Sequence, residues 1–452
     1  MKASARNTLP LALTVGLAAG MLSVASAPVG ARAEPGQASQ SNATPSTSIE
    51  EDVRLPPWAP TLPSWARSVR IVKGDQPLKV SPNGNADRRG SGARQARLPL
   101  YGARPGPGCG GPWLHVGPQA WVCSDEVALS GGAPLLPTAK LLTASTDGLP
   151  FRYFFASRDG SLGYGRLDEV DIGVPVTTLE PGFAVAIVEQ RNIGRETFGR
   201  TNRGVWVPMR DFHAARPFHF EGVALDGTGD TIPHAWVMKD RTPLYARRGQ
   251  RFTPTGKTKD RFDRVGWLEE ASVFGSSWAR IDETHWIRQK DVRHPTVAPP
   301  PDEAEIAHGA RWIDIELESQ TLVAYEGAKP VFATLVSTGK GKTKGHPFET
   351  PKGVHRIWVK LLATTMDNLE DEYANRYWRI EDVPYVQFFH KGVGLHAAFW
   401  HRSFGNVRSH GCVNLAPRDA QRLFAFTSPR IGAGWTAALP TAYDQGTIVR
   451  VR

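Results

Sequence analysis

The chain has little cysteine and few long apolar segments. Three cysteines occur in 452 residues, so the chain can form at most one internal disulfide, which leaves one thiol over. No long uncharged apolar run occurs beyond the first 33 residues, which excludes a protein that spans a membrane several times. The apolar fraction of 40% and the charged fraction of 22% exclude a wholly disordered chain. The role of the odd cysteine is therefore the first question that the sequence poses.

The N-terminus has the pattern of an export signal. Lys2 and Arg6 precede an apolar run of small residues, and Ala31-Arg32-Ala33 is a small-x-small cleavage site. Residues 1–33 are therefore predicted to be a signal peptide, with an uncleaved membrane anchor as the alternative. We expect an exported protein of the periplasm or cell wall. Removal of the signal lowers the net charge from +10 to +7.

A basic exported protein suits an anionic partner. The sequence has no nucleic-acid motif, so nucleic acid is not expected as a partner. Export also suggests different roles for the three cysteines, because an oxidising compartment permits a disulfide between two of them. Cys109 and Cys123 are close in sequence and are predicted to pair. Cys412 is far from both and is left as a free thiol.

Composition indicates several domains rich in turns. The 45 glycines and 36 prolines favour a mainly β fold with a few helices. Three successive prolines, Pro299 to Pro301, mark the main boundary. The predicted segments are a signal (1–33), a disordered tether (34–65), a first β module containing the disulfide (66–135), further β modules (136–298), a linker (299–307) and a C-terminal domain (308–452).

A faint repeat runs through the predicted modules. Trp121-Val122, Trp206-Val207 and Trp286-Ile287 are each followed by an acidic residue and an apolar one. The pattern predicts a final strand with a buried tryptophan and then a short turn. With the Leu-Tyr openings at 98–101 and 242–245, it resembles bacterial SH3-like domains, which are small β-barrels. The alternative is that each Trp-Val pair is simply part of a strand core.

Two patterns in the C-terminal segment predict secondary structure. Ile313, Ile315 and Leu317 alternate with acidic residues, which is typical of a half-buried strand. Pro417 to Thr427 is predicted to be a helix, because proline favours its first turn and apolar residues line one face.

The odd cysteine lies in the segment Ser409-His410-Gly411-Cys412-Val413-Asn414, with His396 upstream. A thiol becomes a strong nucleophile only when it loses its proton, and histidine is the usual base. Gly411 permits a tight turn, and the amides of Gly411 and Cys412 are candidates for stabilising an oxyanion.

The hexapeptide and His396 resemble the L,D-transpeptidase catalytic domain (YkuD-type) over roughly residues 311–452. The resemblance implies a β-sandwich in which Cys412 is the nucleophile and His396 is its base. His410 and Gly411 would shape the oxyanion site, Ser409 would orient the loop, and Asn414 would hold the loop or contact substrate. Two departures from the family pattern stand out. Ala397 replaces a glycine or serine, and Ala416 replaces a helix-capping serine or threonine.

The resemblance also implies a reaction on peptidoglycan stem peptides. The thiol would attack the diaminopimelate carbonyl of a tetrapeptide stem, expel D-Ala and form a thioester. An amine on a second stem or on a wall protein would then accept the acyl group, and no metal or other cofactor is required. Water as the acceptor would make the protein an L,D-carboxypeptidase. Acylation of Cys412 by carbapenems is a further implication.

Three other functions compete with this one. The first is a zinc site, with ligands drawn from His390, His396, His401, His410 and Cys412, although their spacing fits no closed zinc motif. The second is a papain-like endopeptidase, in which the cysteine precedes the histidine rather than following it. The third is a non-catalytic wall-binding protein built on the SH3-like modules.

Overall fold

Short β-strands separated by turns make up nearly all of the regular structure, as the glycine and proline content predicts. The computed structural model describes residues 62–136, 147–157, 159–216, 219–225, 232–301, 309–343, 346–370 and 377–452. All of them belong to one compact unit, Pro56–Arg452. The predicted signal, most of the tether and most of the linker lie outside the described residues. Within the described part no helix is long and apolar enough to cross a membrane.

The strands fall into three regions before residue 300. The first region contains β1 (Ser68–Arg70), β2 (Gln76–Lys79), β3 (Arg88–Gly92), β4 (Arg97–Pro99), β5 (Gly102–Arg104), β6 (Trp113–Gly117), β7 (Ala120–Cys123) and β8 (Ala128–Ser130). The second contains β9 (Arg152–Ala156), β10 (Ser161–Gly163), β11 (Thr177–Leu179), β12 (Ala184–Ile193), β13 (Glu196–Thr201), β14 (Trp206–Pro208), β15 (Phe212–Ala214) and β16 (Val223–Ala224). The third contains β17 (His234–Val237), β18 (Thr242–Arg248), β19 (Arg251–Lys259), β20 (Arg264–Gly266), β21 (Glu269–Val273), β22 (Ser276–Arg280), β23 (Trp286–Arg288) and β24 (Val292–Arg293).

The C-terminal region carries the remaining strands and, within the described residues, the one α-helix. Its elements are β25 (Arg311–Glu316), β26 (Thr321–Glu326), β27 (Lys329–Leu335), β28 (Gly341–Thr343), β29 (His346–Phe348), β30 (Gly353–Arg356), β31 (Val359–Asp367), β32 (Arg379–His390), β33 (Val393–Ala397), β34 (Val413–Leu415), α1 (Pro417–Phe426), β35 (Trp435–Ala438) and β36 (Ile448–Val451). The mainly β fold class is thereby confirmed. Proline opens α1 as predicted, and Ala416 at its N-cap supplies no side-chain bond to the helix.

Two sheets enclose the core of the C-terminal region. One has the strand order β16-β27-β26-β25-β36-β30, and the other contains β35-β31-β32, with β33 and β34 continuing from β32. A shared apolar cluster joins Ile313 and Leu322 of the first sheet to Leu395 of the second and Leu423 of α1. The residues around Cys412 therefore rest on a fully packed sandwich.

Strands of the N-terminal regions extend the second sheet on both sides. β3 pairs with β35, and β12 pairs in parallel with β32, so that this sheet joins fifteen of the described strands. β16 adds to the other sheet by pairing with β27. The predicted boundaries at residues 136 and 299 remain predictions, but the regions on either side of them share sheets.

The tryptophan repeat corresponds to a repeated local structure. Each Trp-apolar pair lies on a short strand, β7, β14 or β23, that leads into one turn of 3₁₀ helix. Trp206 and Trp286 are buried as predicted, whereas Trp121 is half-exposed and stacks on His115. The SH3-like nature of the three regions remains a prediction.

The prediction of alternating burial in β25 is wrong at Asp314. This carboxylate is buried between Ile313 and Ile315. The guanidinium groups of Arg450 and Arg452 contact its two oxygens at 2.6 and 2.8 Å. Paired charges tolerate burial, so a hydrophobicity period alone cannot detect this residue.

Asp419 ties α1 to the rest of the fold. Its carboxylate is fully buried and accepts hydrogen bonds from the Gly222 amide at 2.9 Å and from the Thr334 hydroxyl. Burial raises the pKa of Asp419 to about 7, although these two bonds favour the charged form. The helix that follows Cys412 is thus held by a group that titrates near neutrality.

We predict that Asp419 makes the protein less stable as the pH rises from about 4 to 7. The folded state holds the proton up to about pH 7, whereas an unfolded aspartate releases it near pH 4. The stabilisation is therefore complete below pH 4 and is lost as the pH passes the folded value. Asp419→Asn can accept from the Gly222 amide and donate to the Thr334 hydroxyl oxygen. It should remove this dependence, gaining at most about 4 kcal/mol over wild type above pH 7.

Denaturant unfolding of both proteins between pH 4 and 8 measures the effect. Asp171→Asn, at an exposed aspartate, is the control for the loss of one charge. An Asp419→Asn variant whose stability follows the same pH curve as wild type would contradict the prediction.

Candidate active site

Parallel pairing of two short strands brings the predicted nucleophile and base together. β33 carries His396, and β34 begins directly after Cys412. In the register of the pair, Leu395 lies opposite Val413 and His396 opposite Asn414. Cys412 is therefore next to the strand that carries His396. Its side chain is only partly exposed, and the thiol lies 3.7 Å from the Gly392 carbonyl.

His396 is buried in the one neutral form that suits a base. Its Nδ1 lies 3.0 Å from the Ala397 carbonyl, which can only accept a hydrogen bond. Nδ1 therefore carries the proton, and Nε2 keeps a lone pair. The departure at Ala397 does not affect this bond, because the backbone supplies it. Burial lowers the pKa of His396 to about 4, which the bond to Ala397 opposes in part.

The thiol and the imidazole are both neutral at neutral pH. Burial raises the pKa of the Cys412 thiol, against a smaller opposing effect from the backbone of Gly394. A thiol with a raised pKa next to an imidazole with a lowered one does not form a resting ion pair. At rest, both groups therefore hold their neutral forms.

Hydrogen bonds fix the loop before Cys412 at several points. The Ser409 hydroxyl donates to the Cys412 carbonyl and accepts from the Gly411 amide at 3.1 Å. Gly411 has φ +123°, a conformation that side chains disfavour, which is why glycine stands there. Since the Gly411 amide already donates to Ser409, the Cys412 amide is the better candidate for binding an oxyanion.

Thr350 connects this loop to the strand end on its other side, a role that sequence reasoning missed. The Thr350 hydroxyl donates to the Gly411 carbonyl at 2.7 Å and accepts from the Gly339 amide at 3.0 Å. Further backbone bonds join Thr338 to Ser409 and Ser409 to Lys340. The loop is thereby held from both sides.

Asn414 and His410 occupy different environments. The buried side-chain amide of Asn414 lies 2.8 Å from Nε2 of His401, which places Asn414 on the supporting side of the loop. His410 is exposed, and its ring contacts Phe348 at 4.5 Å and Trp378 at 6.0 Å between centroids. Of the two, His410 is the one accessible to a substrate.

Two cavities lie beside the loop. One, of about 460 Å³, is lined by Lys340, Glu349, Thr350 and Lys352 among others. The second, of about 580 Å³, is lined by aromatic side chains of the second region and by Trp378 and Trp400. Trp400 stacks on His396 with ring centroids 5.7 Å apart. No sequence pattern indicated the second cavity, because its walls come from distant segments.

The other cysteines are joined in the structure by a Cys109–Cys123 disulfide. Among the described residues, one group of side chains is close enough to hold a metal ion, and it consists of these two cysteines and Asp125. Bonded to each other, the cysteines offer no thiolate to a metal. The histidines of the zinc alternative do not converge with Cys412 in the described part of the chain.

Residues 310–451 match the YkuD family, described as the L,D-transpeptidase catalytic domain. The C-terminal region is an L,D-transpeptidase catalytic domain. This confirms the family resemblance expected from the Ser409–Asn414 motif. No curated protein matches the chain.

Solved structures of L,D-transpeptidases are similar to about a third of the chain. A cysteine-to-serine mutant of an Enterococcus faecium L,D-transpeptidase is 24% identical over 32% of this chain and 50% of its own, with a TM-score of 0.24. The catalytic domain of the E. faecium enzyme is 25% identical over 32% of this chain and 98% of its own, with a TM-score of 0.24. An L,D-transpeptidase from Stackebrandtia nassauensis is 28% identical over 32% of this chain and 55% of its own, with a TM-score of 0.22. The chain thus spans only half of the first of these proteins.

We predict that Cys412 shows no thiolate plateau at neutral pH. Its alkylation by iodoacetamide should rise about tenfold per pH unit from pH 6 to 8, because the thiolate fraction does so below the thiol pKa. Cys412 is the free cysteine of the chain, so intact mass reports a single site, and Cys412→Ala supplies the blank. A rate that stays level between pH 5 and 8 would instead indicate a thiolate–imidazolium pair.

Removal of the Thr350 hydroxyl should loosen the loop. Thr350→Val leaves the Gly339 amide and the Gly411 carbonyl without their partner, which costs about 1–3 kcal/mol for each buried group. Thr350→Ser keeps the hydroxyl and is the matched control. Denaturant unfolding and the rate of Cys412 acylation measure the effect. Equal losses in both variants would show that the methyl group, and not the hydrogen bonds, is what matters.

Proposed function

We propose that the chain is an exported L,D-transpeptidase that acts on peptidoglycan tetrapeptide stems. The observation that carries the proposal is the tautomer of His396, which leaves Nε2 unprotonated. The strand that carries His396 is paired with the strand that directly follows Cys412. The YkuD match over residues 310–451 supports the same reaction class.

The first step forms a thioester. The Cys412 sulfur attacks the carbonyl of the stem's diaminopimelate residue while its proton passes to Nε2 of His396. The Cys412 amide is the candidate donor to the resulting oxyanion. Collapse of this intermediate breaks the bond to D-Ala, and His396 returns the proton to the leaving amine.

The roles of the neighbouring residues follow from their contacts. Ser409 and Gly411 hold the loop, Asn414 supports it from the buried side, and His410 lines the accessible side. Lys340 and Lys352 line the cavity beside Thr350, where their charges suit the carboxylates of a stem peptide. An amine accepts the acyl group in the second step. Neither step needs a metal.

There are two alternatives to this proposal. One differs in the acceptor of the acyl group, and the other involves no reaction at all. With water as the acceptor the protein would be an L,D-carboxypeptidase. Without acyl transfer it would be a wall-binding protein that uses the three N-terminal regions. The position of Cys412 beside the strand that carries His396 favours an enzyme over the second alternative.

Cys412→Ala should abolish acyl transfer and leave wall binding intact. The full chain is incubated with a defined disaccharide-tetrapeptide, and mass spectrometry identifies a dimer, a tripeptide or an exchanged product. His396→Ala should lower the acylation rate by about 100-fold or more, because it removes the general base. His390→Ala, in the preceding strand, is the matched histidine control and should retain activity.

Each outcome of this experiment has a distinct meaning. Tripeptide alone would indicate a carboxypeptidase. Unchanged product formation by Cys412→Ala would contradict the enzyme proposal, as would the absence of any product from a folded wild-type protein. Since His396 has a pKa of about 4, activity should persist through mildly acidic pH and fall as the pH drops below about 4.

A further inference from the structure

The larger of the two cavities, the aromatic cleft, is built jointly by the second region and the catalytic domain. Phe155 and Ser157 come from β9 and the turn after it, His213 comes from β15, and Trp378 and Trp400 come from the catalytic domain. Phe155 and His213 pair across the two strands and stack with ring centroids 5.7 Å apart. The wall that they form is therefore part of a sheet rather than of a loose loop.

Buried contacts hold this wall in place against the catalytic domain. The Tyr153 ring stacks on Phe399 with centroids 4.0 Å apart, and its hydroxyl donates to the Asp382 carbonyl at 2.6 Å. The parallel bridge between Ala184 and Ile380 joins the same two regions. Because these contacts are buried, Phe155 keeps a fixed position relative to the site.

The aromatic cleft adjoins the histidine side of the site. Trp400 stacks on His396, and Trp378 stacks on His410. The smaller cavity, with Lys340 and Lys352, lies instead beside Thr350, which bonds to the Gly411 carbonyl. A two-substrate reaction needs two such places, and the two cavities differ in chemistry.

We propose that the aromatic cleft binds the acceptor, a primary amine, and that Phe155 of the second region is one of its specificity-determining residues. This inference rests on the proposed function. Aromatic faces attract an ammonium group within about 6 Å of the ring. The described residues that line the cleft include no lysine or arginine, so no permanent positive charge among them repels a cation. Burial in such a cleft also lowers the pKa of an amine and favours its neutral, nucleophilic form.

The position of the cleft next to His396 suits the second step. The ammonium first loses one proton to solvent. The amine nitrogen then attacks the thioester carbonyl, forming a C–N bond while the C–S bond to Cys412 breaks. The second amine proton passes to Nε2 of His396 and ends on the Cys412 sulfur, which restores the resting thiol and imidazole.

The test separates acylation from acceptor binding. The full chain receives saturating disaccharide-tetrapeptide as the donor and a varied concentration of disaccharide-tripeptide as the amine acceptor. Intact mass follows the acylation of Cys412, and product analysis gives the ratio of amide to hydrolysed product. Phe155→Leu should raise the half-saturating acceptor concentration roughly fivefold, since it removes one aromatic face. The acylation rate should stay within about twofold of wild type.

Two further variants make the result specific to the aromatic face. Phe155→Tyr keeps the ring and should behave as wild type. Phe274→Leu makes the same change at an exposed phenylalanine that does not line the cleft and should change neither readout.

The outcomes distinguish failure of this inference from failure of the proposed function. If no acylation occurs in wild type, the proposed function fails. If acylation is normal and Phe155→Leu leaves the acceptor dependence unchanged, the acceptor site is overturned. The acceptor site would also be overturned if Phe155→Leu acylates more slowly than wild type with the disaccharide donor but not with a sugar-free peptide. The cleft would then bind the donor's sugar.

Discussion

The parallel pairing of β33 with β34 is the constraint on which the site depends. Two parallel neighbours cannot be joined by a tight turn, so the chain must cross over between them. The crossover, residues 398–412, carries Trp400, His401 and the Ser409–Gly411 loop. Its return places Cys412 immediately before β34, in register with the strand that holds His396. Cys412 and His396 are thus separated along the chain, but the strands next to them are adjacent in the sheet.

The same sheet determines how the N-terminal regions reach the site. β12 pairs with β32, and β32 in turn pairs with β33. One parallel bridge, between Ala184 and Ile380, therefore links the second region to the strand that pairs with the His396 strand. Rearrangement of that region would break sheet pairing and the buried stack of Tyr153 on Phe399. The cleft wall is consequently held against the catalytic domain by sheet pairing and by buried packing.

The sequence predicts the family of the C-terminal region better than it predicts the surroundings of the site. The Ser409–Asn414 motif and the helix after Pro417 could be predicted because they follow local rules, whereas the roles of Cys412 and His396 remain predictions. The bond from the Gly411 amide to Ser409, the role of Thr350 and the wall at Phe155 could not, since each depends on segments that are distant in sequence. Asp314 was misjudged for a related reason. Its burial depends on Arg450 and Arg452, which reach it only after β36 has paired with β25.

The neutral forms of Cys412 and His396 explain how the chain can keep a free thiol. Thiolates react with oxidants and with stray electrophiles much faster than thiols do. Burial disfavours the charged form of both groups, so the resting site contains little thiolate. Burying an ion pair would also carry a larger desolvation penalty than burying two neutral groups. Under the proposed mechanism, reactivity depends on a substrate carbonyl at the sulfur and an unprotonated Nε2 at the same moment. The fold supplies the second condition permanently, through the backbone carbonyl of Ala397, and leaves the first to the substrate.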